Sequence, residues 1–423
     1  MVNGDDMAAT RPATALFRTT RVLRSVPTPC YLPPSVLGNV PHLTPDNCAK
    51  VSELKAQTID FADISPVAKL VATKQKNLRA FLNTRDLQLM LSARDYVSNS
   101  NPPSTRSGFM IRTPNGRRVV TPDEFMDVAN QLEPELVVPL ADEVSPSLSR
   151  NRQRAAVQSS LEWLDACLEK NDAKSPMCGV VVGGNDADLR HLSATETSKR
   201  PIQAVVLSGL DACEDLELRA KLTEASVSAL ADQTIPRILT GVGHPLQVLA
   251  AVASGIDAFV SPFPDEMTRE AAAMSFWIES GPTDDGQERE AVRESHGALL
   301  HLREKRFERD FGPLLPGCDC FACANYTRAY VHHLLNVREM LGDMLLYLHN
   351  LQHYYSFFGA VRRAVNAGTF AEYRATFEAK YSESKSTAPP LAVPLLIAER
   401  KHKRETERAA AIADRDAKRQ RTE

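Results

Sequence analysis

The chain has 423 residues, 43% of them hydrophobic, with a formal net charge of −3 at pH 7. That is enough apolar material for one large domain or two smaller ones, and no apolar run approaches the roughly 20 residues that a membrane-spanning helix needs. The near-neutral balance neither indicates nor excludes a nucleic-acid partner, because binding faces are local.

Residues 1–15 read as disordered. Residues 7 to 29 lack acids and hold Arg11, Arg18, Arg21 and Arg24. This resembles a transit peptide only faintly, since Asp5 and Asp6 precede it and no long apolar face follows. Phe17 to Leu37 is extended, because Pro27, Pro29, Pro33 and Pro34 exclude helix. Thr44-Pro45 and Thr121-Pro122 each set an N-cap residue before a proline at the first helical position, so helices are expected from both. Residues 66 to 93 read as helix, and residues 96 to 107 as a polar loop.

A repeating unit follows. Short apolar strands are expected at Leu136–Leu140, Gly179–Val182, Gln203–Leu207, Pro236–Thr240 and Ile256–Val260. Helices are expected near Arg152–Lys170, from Asp186, at Leu216–Ala231 and up to Ser254. Such alternation implies parallel pairing through helical crossovers. Glycine pairs after the strands fall on the carboxyl side of the sheet, where a (β/α)8 barrel carries its binding groups. An open doubly wound sheet is the runner-up, but no GxGxxG follows a first strand.

Residues 279 to 293 read as a solvated acidic insertion. Then comes Cys318-Asp-Cys320-Phe-Ala-Cys323, too tight a knuckle for disulfides among its members. It is followed by one long apolar helix, roughly Tyr326 to Val365, that carries His349. Three thiolates and an imidazole form a standard set of ligands for structural zinc, so one Zn2+ held by Cys318, Cys320, Cys323 and His349 is expected, with His333 and His353 as competing imidazoles. Eight cysteines, three of them in one knuckle, point to a reducing compartment. Residues 382–391 form a Ser/Thr/Pro linker. The tail from Glu399 carries two basic blocks, which read either as a solvated segment or as a nucleic-acid or nuclear-targeting patch.

The run from Cys318 through Tyr326, Arg328, Tyr330 and His333 to Leu348-His349-Asn350 resembles the zinc subdomain of tRNA-guanine transglycosylases. Val26-Pro-Thr-Pro29 with Leu43-Thr-Pro45-Asp46, Gly183-Gly184 with Asp188-Leu189-Arg190, and Gly241-Val-Gly243-His-Pro245 to Phe259 resemble further family segments in order. The resemblance implies a (β/α)8 TIM-type barrel over residues 16–381, with an inserted zinc-binding subdomain at about 311–360 and a linker and charged tail at 382–423. It also implies exchange of a wobble guanine in the tRNA anticodon region for queuine.

The departures are chemical. Catalytic members carry an aspartate that attacks the ribose anomeric carbon; this chain has Val260 there. Pro264-Asp265-Glu266-Met267 replaces a Thr-Arg-Asn motif, Val182 replaces a base-holding glutamine, and an early Asp-Ser-Gly-Gly segment is absent between residues 60 and 110. Asp142 falls where the family has a base-recognising aspartate; taken alone it reads equally as a solvated loop acid. Asp257 is about 10 Å back along the strand from Val260 and is expected to orient the barrel bottom; Asp265 is expected on a loop from which it could swing in. No catalytic residue is assigned. The resemblance is to the non-catalytic branch, which implies a heterodimer with a catalytic queuine tRNA-ribosyltransferase subunit, contact with tRNA, and a cytoplasmic location with peripheral association at the mitochondrial outer membrane. The apolar surplus of the long helix is expected to form the pairing surface. The alternatives are an active base-exchange enzyme with a relocated carboxylate and a scaffold without tRNA binding.

Overall fold

In a computed structural model of the chain, residues 26–73, 78–84, 87–97, 104–105, 108–113, 116–213, 215–279 and 297–383 are described. The expected disordered N-terminus, most of the acidic insertion and nearly all of the linker and tail lie outside the described residues.

Eight short strands run parallel among them: β1 (Cys30–Leu32), β2 (Ala56–Asp60), β3 (Gln88–Ser92), β4 (Leu136–Val138), β5 (Cys178–Val181), β6 (Ala204–Leu207), β7 (Arg237–Thr240) and β8 (Ala258–Val260). Ladders join β2–β3–β4 and β5–β6–β7–β8–β1. Parallel bridges Pro34↔Thr58 and Val137↔Met177 link the two arcs. Ser35 N–H donates to Thr58 O at 3.1 Å and Val137 N–H to Pro176 O at 2.9 Å across these seams. Each strand therefore has a partner on both sides, and the sheet closes into the (β/α)8 barrel rather than the open doubly wound sheet.

The five strands expected from alternation are present within one or two residues. The first three were less legible. Gln88–Ser92 sits inside the expected 66–93 helix, because Gln-Leu-Met-Leu has good helix propensity. Pairing to β2 and β4 on its two sides makes it a strand, with Leu89, Met90 and Leu91 all buried. The rest of that stretch is helical at 68–73 and 78–82. Of the two Thr-Pro openings, Thr121 caps the helix Pro122–Leu132 by accepting from Glu124 N–H. Thr44 makes no such bond, and its helix is a single turn, Pro45–Cys48. An antiparallel hairpin, Phe109–Thr113 with Gly116–Val120, leads into the Pro122–Leu132 helix.

The outer helices start on capping side chains. Ser149, Asp186 and Asp215 accept from backbone N–H groups of the helices Arg150–Glu169, Ala187–Thr197 and Leu216–Ser228, each cap contributing about 1 kcal/mol. Alternate strand residues fill the interior: Leu32, Met90, Val138, Val180, Val206, Ile238 and Val260 form one buried cluster.

The expected single helix from Tyr326 to Val365 is broken in two, Arg328–Val337 and Met340–Asn366, and a short helix, Phe321–Asn325, precedes it. Arg338 takes a left-handed conformation (φ 61°), and its N–H closes on Leu334 O. The chain then doubles back so closely that a Cβ on Gly342 would lie 3.1 Å from Leu334 Cβ. Arg303 donates to the exposed end of the first helix at Leu335 O, 2.7 Å. The apolar surplus of this region is mostly consumed inside the chain. Leu334, Leu335, Leu345, Leu348, Tyr354, Tyr355, Phe357 and Phe358 are all buried. The ring of Tyr354 meets Tyr31 on β1 at 4.9 Å and Phe358 meets Phe259 on β8 at 5.6 Å. The long helix thus covers the seam between the first and last barrel strands.

The helix Phe370–Glu383 extends past the expected domain end at 381. Tyr381 docks it by sharing a hydrogen bond with His244 Nε2 at 3.0 Å. Burial, with the nearby Arg219 charge, pushes His244 down to about 4. Between about pH 6.5 and 4 the unfolded chain takes up a proton on this residue that the folded chain refuses. The fold therefore loses stability as pH falls through that window, by about 1.4 kcal/mol per pH unit from this group. Urea midpoints at pH 7 and pH 5 are expected to differ less for His244→Gln than for the wild type; an unchanged difference would show that His244 does not carry the effect.

Candidate metal centre and barrel mouth

The knuckle is held by backbone geometry before any ion is considered. Cys320 caps the Phe321–Asn325 helix, its sulfur accepting from Cys323 N–H at 3.3 Å. The preceding loop is braced by Arg328, which is buried, donates to Asp310 Oδ2 at 2.9 Å and to Leu314 O at 3.3 Å. His349 comes from the middle of the long helix and is fully buried. Its Nδ1 faces Cys318, Cys320 and Cys323 Sγ at 3.8, 3.6 and 3.3 Å. All four ligand atoms lie within 4.8 Å of one another. Tetrahedral bonds of about 2.3 Å to sulfur and about 2.0 Å to nitrogen would set sulfur and nitrogen about 3.5 Å apart. The three sulfur–nitrogen distances therefore match a four-coordinate metal ion.

The second nitrogen of His349, Nε2, donates to Met274 O at 2.8 Å, which fixes the tautomer that leaves Nδ1 as a ligand. Burial works against a charge on this ring, but the three facing sulfurs raise its pKa well above the ordinary value. The site attracts positive charge. Of the competing imidazoles, His333 is exposed and His353 faces Phe276 O at 3.1 Å. Asn350 belongs to the run that resembles the family, but sequence reasoning assigned it no role. It is fully buried, accepts from Met274 N–H at 2.8 Å, and donates to Ala272 O and Thr268 Oγ1, both at 3.0 Å. Its signal was adjacency to His349 within the apolar run 344–351.

The barrel mouth is built differently. Val260 and Val182 belong to the packed interior, with exposures of 0% and 4%. The neighbouring Ser261 hydroxyl accepts from Phe263 N–H at 3.2 Å. A Cβ on Gly243 would fall 2.1 Å from that oxygen, so the glycine permits the close approach. Asp142 is buried and held by Arg152 through both oxygens, at 2.7 and 3.1 Å. It is not a solvated acid. Asp257 accepts from Arg237 N–H at 2.9 Å and sits at the amino end of β8, bracing the barrel bottom as expected. Asp265 lies on the helix Phe263–Arg269 rather than a loop, and is fixed by His42 at 2.8 Å and Arg269 at 2.5 Å. Above this floor, β3 ends at Ser92 and is followed by Ala93-Arg94. Arg94 pairs with Glu143 and Asp211. The space left beside it is a cavity of about 10 Å³, room for about one water, where small-molecule sites run to about 300–1,000 Å³.

The domain model described as queuine tRNA-ribosyltransferase matches residues 13–383. Among curated proteins, the chain is similar to queuine tRNA-ribosyltransferase accessory subunit 2 of Gallus gallus, 32% identical over 365 residues, covering 78% of this chain and 85% of that protein. It is similar to the proteins of the same name from Danio rerio, 32% identical with 80% and 89% covered, and from Homo sapiens, 30% identical with 80% and 89% covered. With its closed parallel barrel and its Cys3His block, the chain belongs to the tRNA-guanine transglycosylase, or queuine tRNA-ribosyltransferase, family.

Proposed function

We propose that the chain is the non-catalytic subunit of a heteromeric queuine tRNA-ribosyltransferase. In this reading it pairs with a catalytic homologue in the cytoplasm, helps to hold the tRNA whose wobble guanine is exchanged, and carries one structural zinc on Cys318, Cys320, Cys323 and His349. The observation that carries the reading is Val260. Displacing a base from ribose through a covalent intermediate needs a carboxylate at the carboxyl end of a barrel strand. A valine packed in the barrel interior has no atom to offer, and the relatives of similar length bear the name accessory subunit. A relocated carboxylate is disfavoured, since Asp142 is committed to Arg152 and Asp265 to His42 and Arg269.

Pairing needs an apolar surface that the chain itself leaves uncovered. On the metal-bearing block, Phe311, Tyr330, Val337 and Met340 are 76%, 41%, 52% and 86% exposed. Tyr330 and Val337 are two turns apart on one helix and so share a face. This set replaces the largely buried Leu334–Leu348 stretch as the surface offered to the partner.

The purified chain alone is expected to show no base exchange, with exchange appearing when the catalytic homologue is added. Loss of a covalent nucleophile costs several powers of ten in rate, on the order of 5 kcal/mol or more. Turnover by the chain in a preparation free of the homologue would end the non-catalytic reading. Sedimentation of the mixture at micromolar concentration is expected to give one heavier species, split again by Val337→Asp with Met340→Asp; two separate species for the wild type would remove the pairing. Elemental analysis is expected to find one zinc per chain, lost in Cys320→Ala together with several kcal/mol of stability, because structural zinc binding is coupled to folding. Full zinc in that variant would refute the ligand assignment.

A further inference from the structure

Arg94 is 7% exposed at the mouth of the barrel, in the loop after β3. One guanidinium nitrogen donates to Ser208 Oγ at 2.7 Å and meets the Glu143 carboxylate. Another donates to Asp211 Oδ2 at 3.2 Å. Its central carbon lies 5.6 Å from the centre of the Tyr96 ring, itself buried. Carboxylates in the plane of the group and an aromatic ring beside it are the usual partners of a flat cation. They come from three places in the chain: the loops after β3, β4 and β6. Removing a guanidinium from water is costly, yet Glu143 and Asp211 together outweigh burial and raise its pKa further, so the charge is kept. Glu143 in turn is pushed up by burial, an acid that depends on its partner to remain ionised.

We propose that the barrel mouth is a binding site for a flat guanidinium-class cation, and that the chain fills it permanently with its own Arg94. The filled site joins three loops that a bound ligand would otherwise have to organise, and the cavity beside Arg94 is only about 10 Å³. The inference goes beyond the pairing role and does not depend on it.

The test uses the full chain and methylguanidinium. Arg94→Ala leaves two half-buried carboxylates without their shared cation, and is expected to melt well below the wild type. Millimolar methylguanidinium is expected to raise its melting temperature by a few degrees in a saturable way, as a ligand of the folded state does. Urea, flat but uncharged, and methylammonium, charged but not flat, are expected to fail. The wild type, already filled, is expected not to respond. Glu143→Gln in the Arg94→Ala background is expected to recover part of the stability and abolish the response. If Arg94→Ala is obtained only as aggregate, its refolding yield with and without methylguanidinium gives the same reading. No rescue in either measurement, or equal stabilisation of the wild type, would overturn the proposal.

Discussion

Two adjacent side chains, His349 and Asn350, tie the Cys3His block to the barrel. Neighbouring residues on a helix point about 100° apart, so one can face the cysteines while the other faces the Ala272–Met274 strand. His349 uses both nitrogens, one toward the sulfurs and one on Met274 O. Asn350 brackets the same strand from N–H to carbonyl and reaches the helix after β8 through Thr268. A buried amide left without such partners would cost about 1–3 kcal/mol. With them, the position of the knuckle is set by the backbone of the barrel edge.

The same helix closes the barrel. Its aromatic half lies across β1 and β8, where Tyr31, Phe259, Tyr354 and Phe358 interlock at centroid distances of 4.9 to 6.3 Å. Tyr354 also donates to Gly243 O at 2.6 Å, and Tyr31 to Ser261 O at 2.8 Å, so the loops after β7 and β8 are held from outside. The segment that carries His349 is therefore also the one that shapes the carboxyl end of the barrel, where this architecture places its active sites.

At that end the chain has exchanged reactivity for packing. A carboxylate that must attack has to be reachable and ionised. Here the residue in its place is part of an apolar floor, and the acids nearby are neutralised by arginines: Asp142 by Arg152, Glu143 and Asp211 by Arg94, Asp265 by Arg269. Buried ion pairs contribute little net stability against an apolar alternative, but breaking one is strongly destabilising. That asymmetry keeps the closed arrangement in place once it is present.

Residue type and spacing alone determined a good deal. Alternating strands and helices from residue 136 onward set the parallel architecture, the knuckle with His349 named four groups that do converge, and Val260 removed the nucleophile. These are local signals, carried by periodicity or by one side chain's chemistry. Three things were decided only by tertiary structure. Gln88–Ser92 is a strand because two neighbouring strands pair with it, against its own propensity. The 326–365 stretch breaks at Arg338 because Gly342 allows the following helix to pack back on the first, and the aromatic surplus that resembled an interface is used to seal the barrel. Arg94, one of many arginines in the sequence, became the occupant of the barrel mouth because Glu143, Ser208 and Asp211, which lie 49 to 117 residues away along the chain, meet only when the sheet closes on itself.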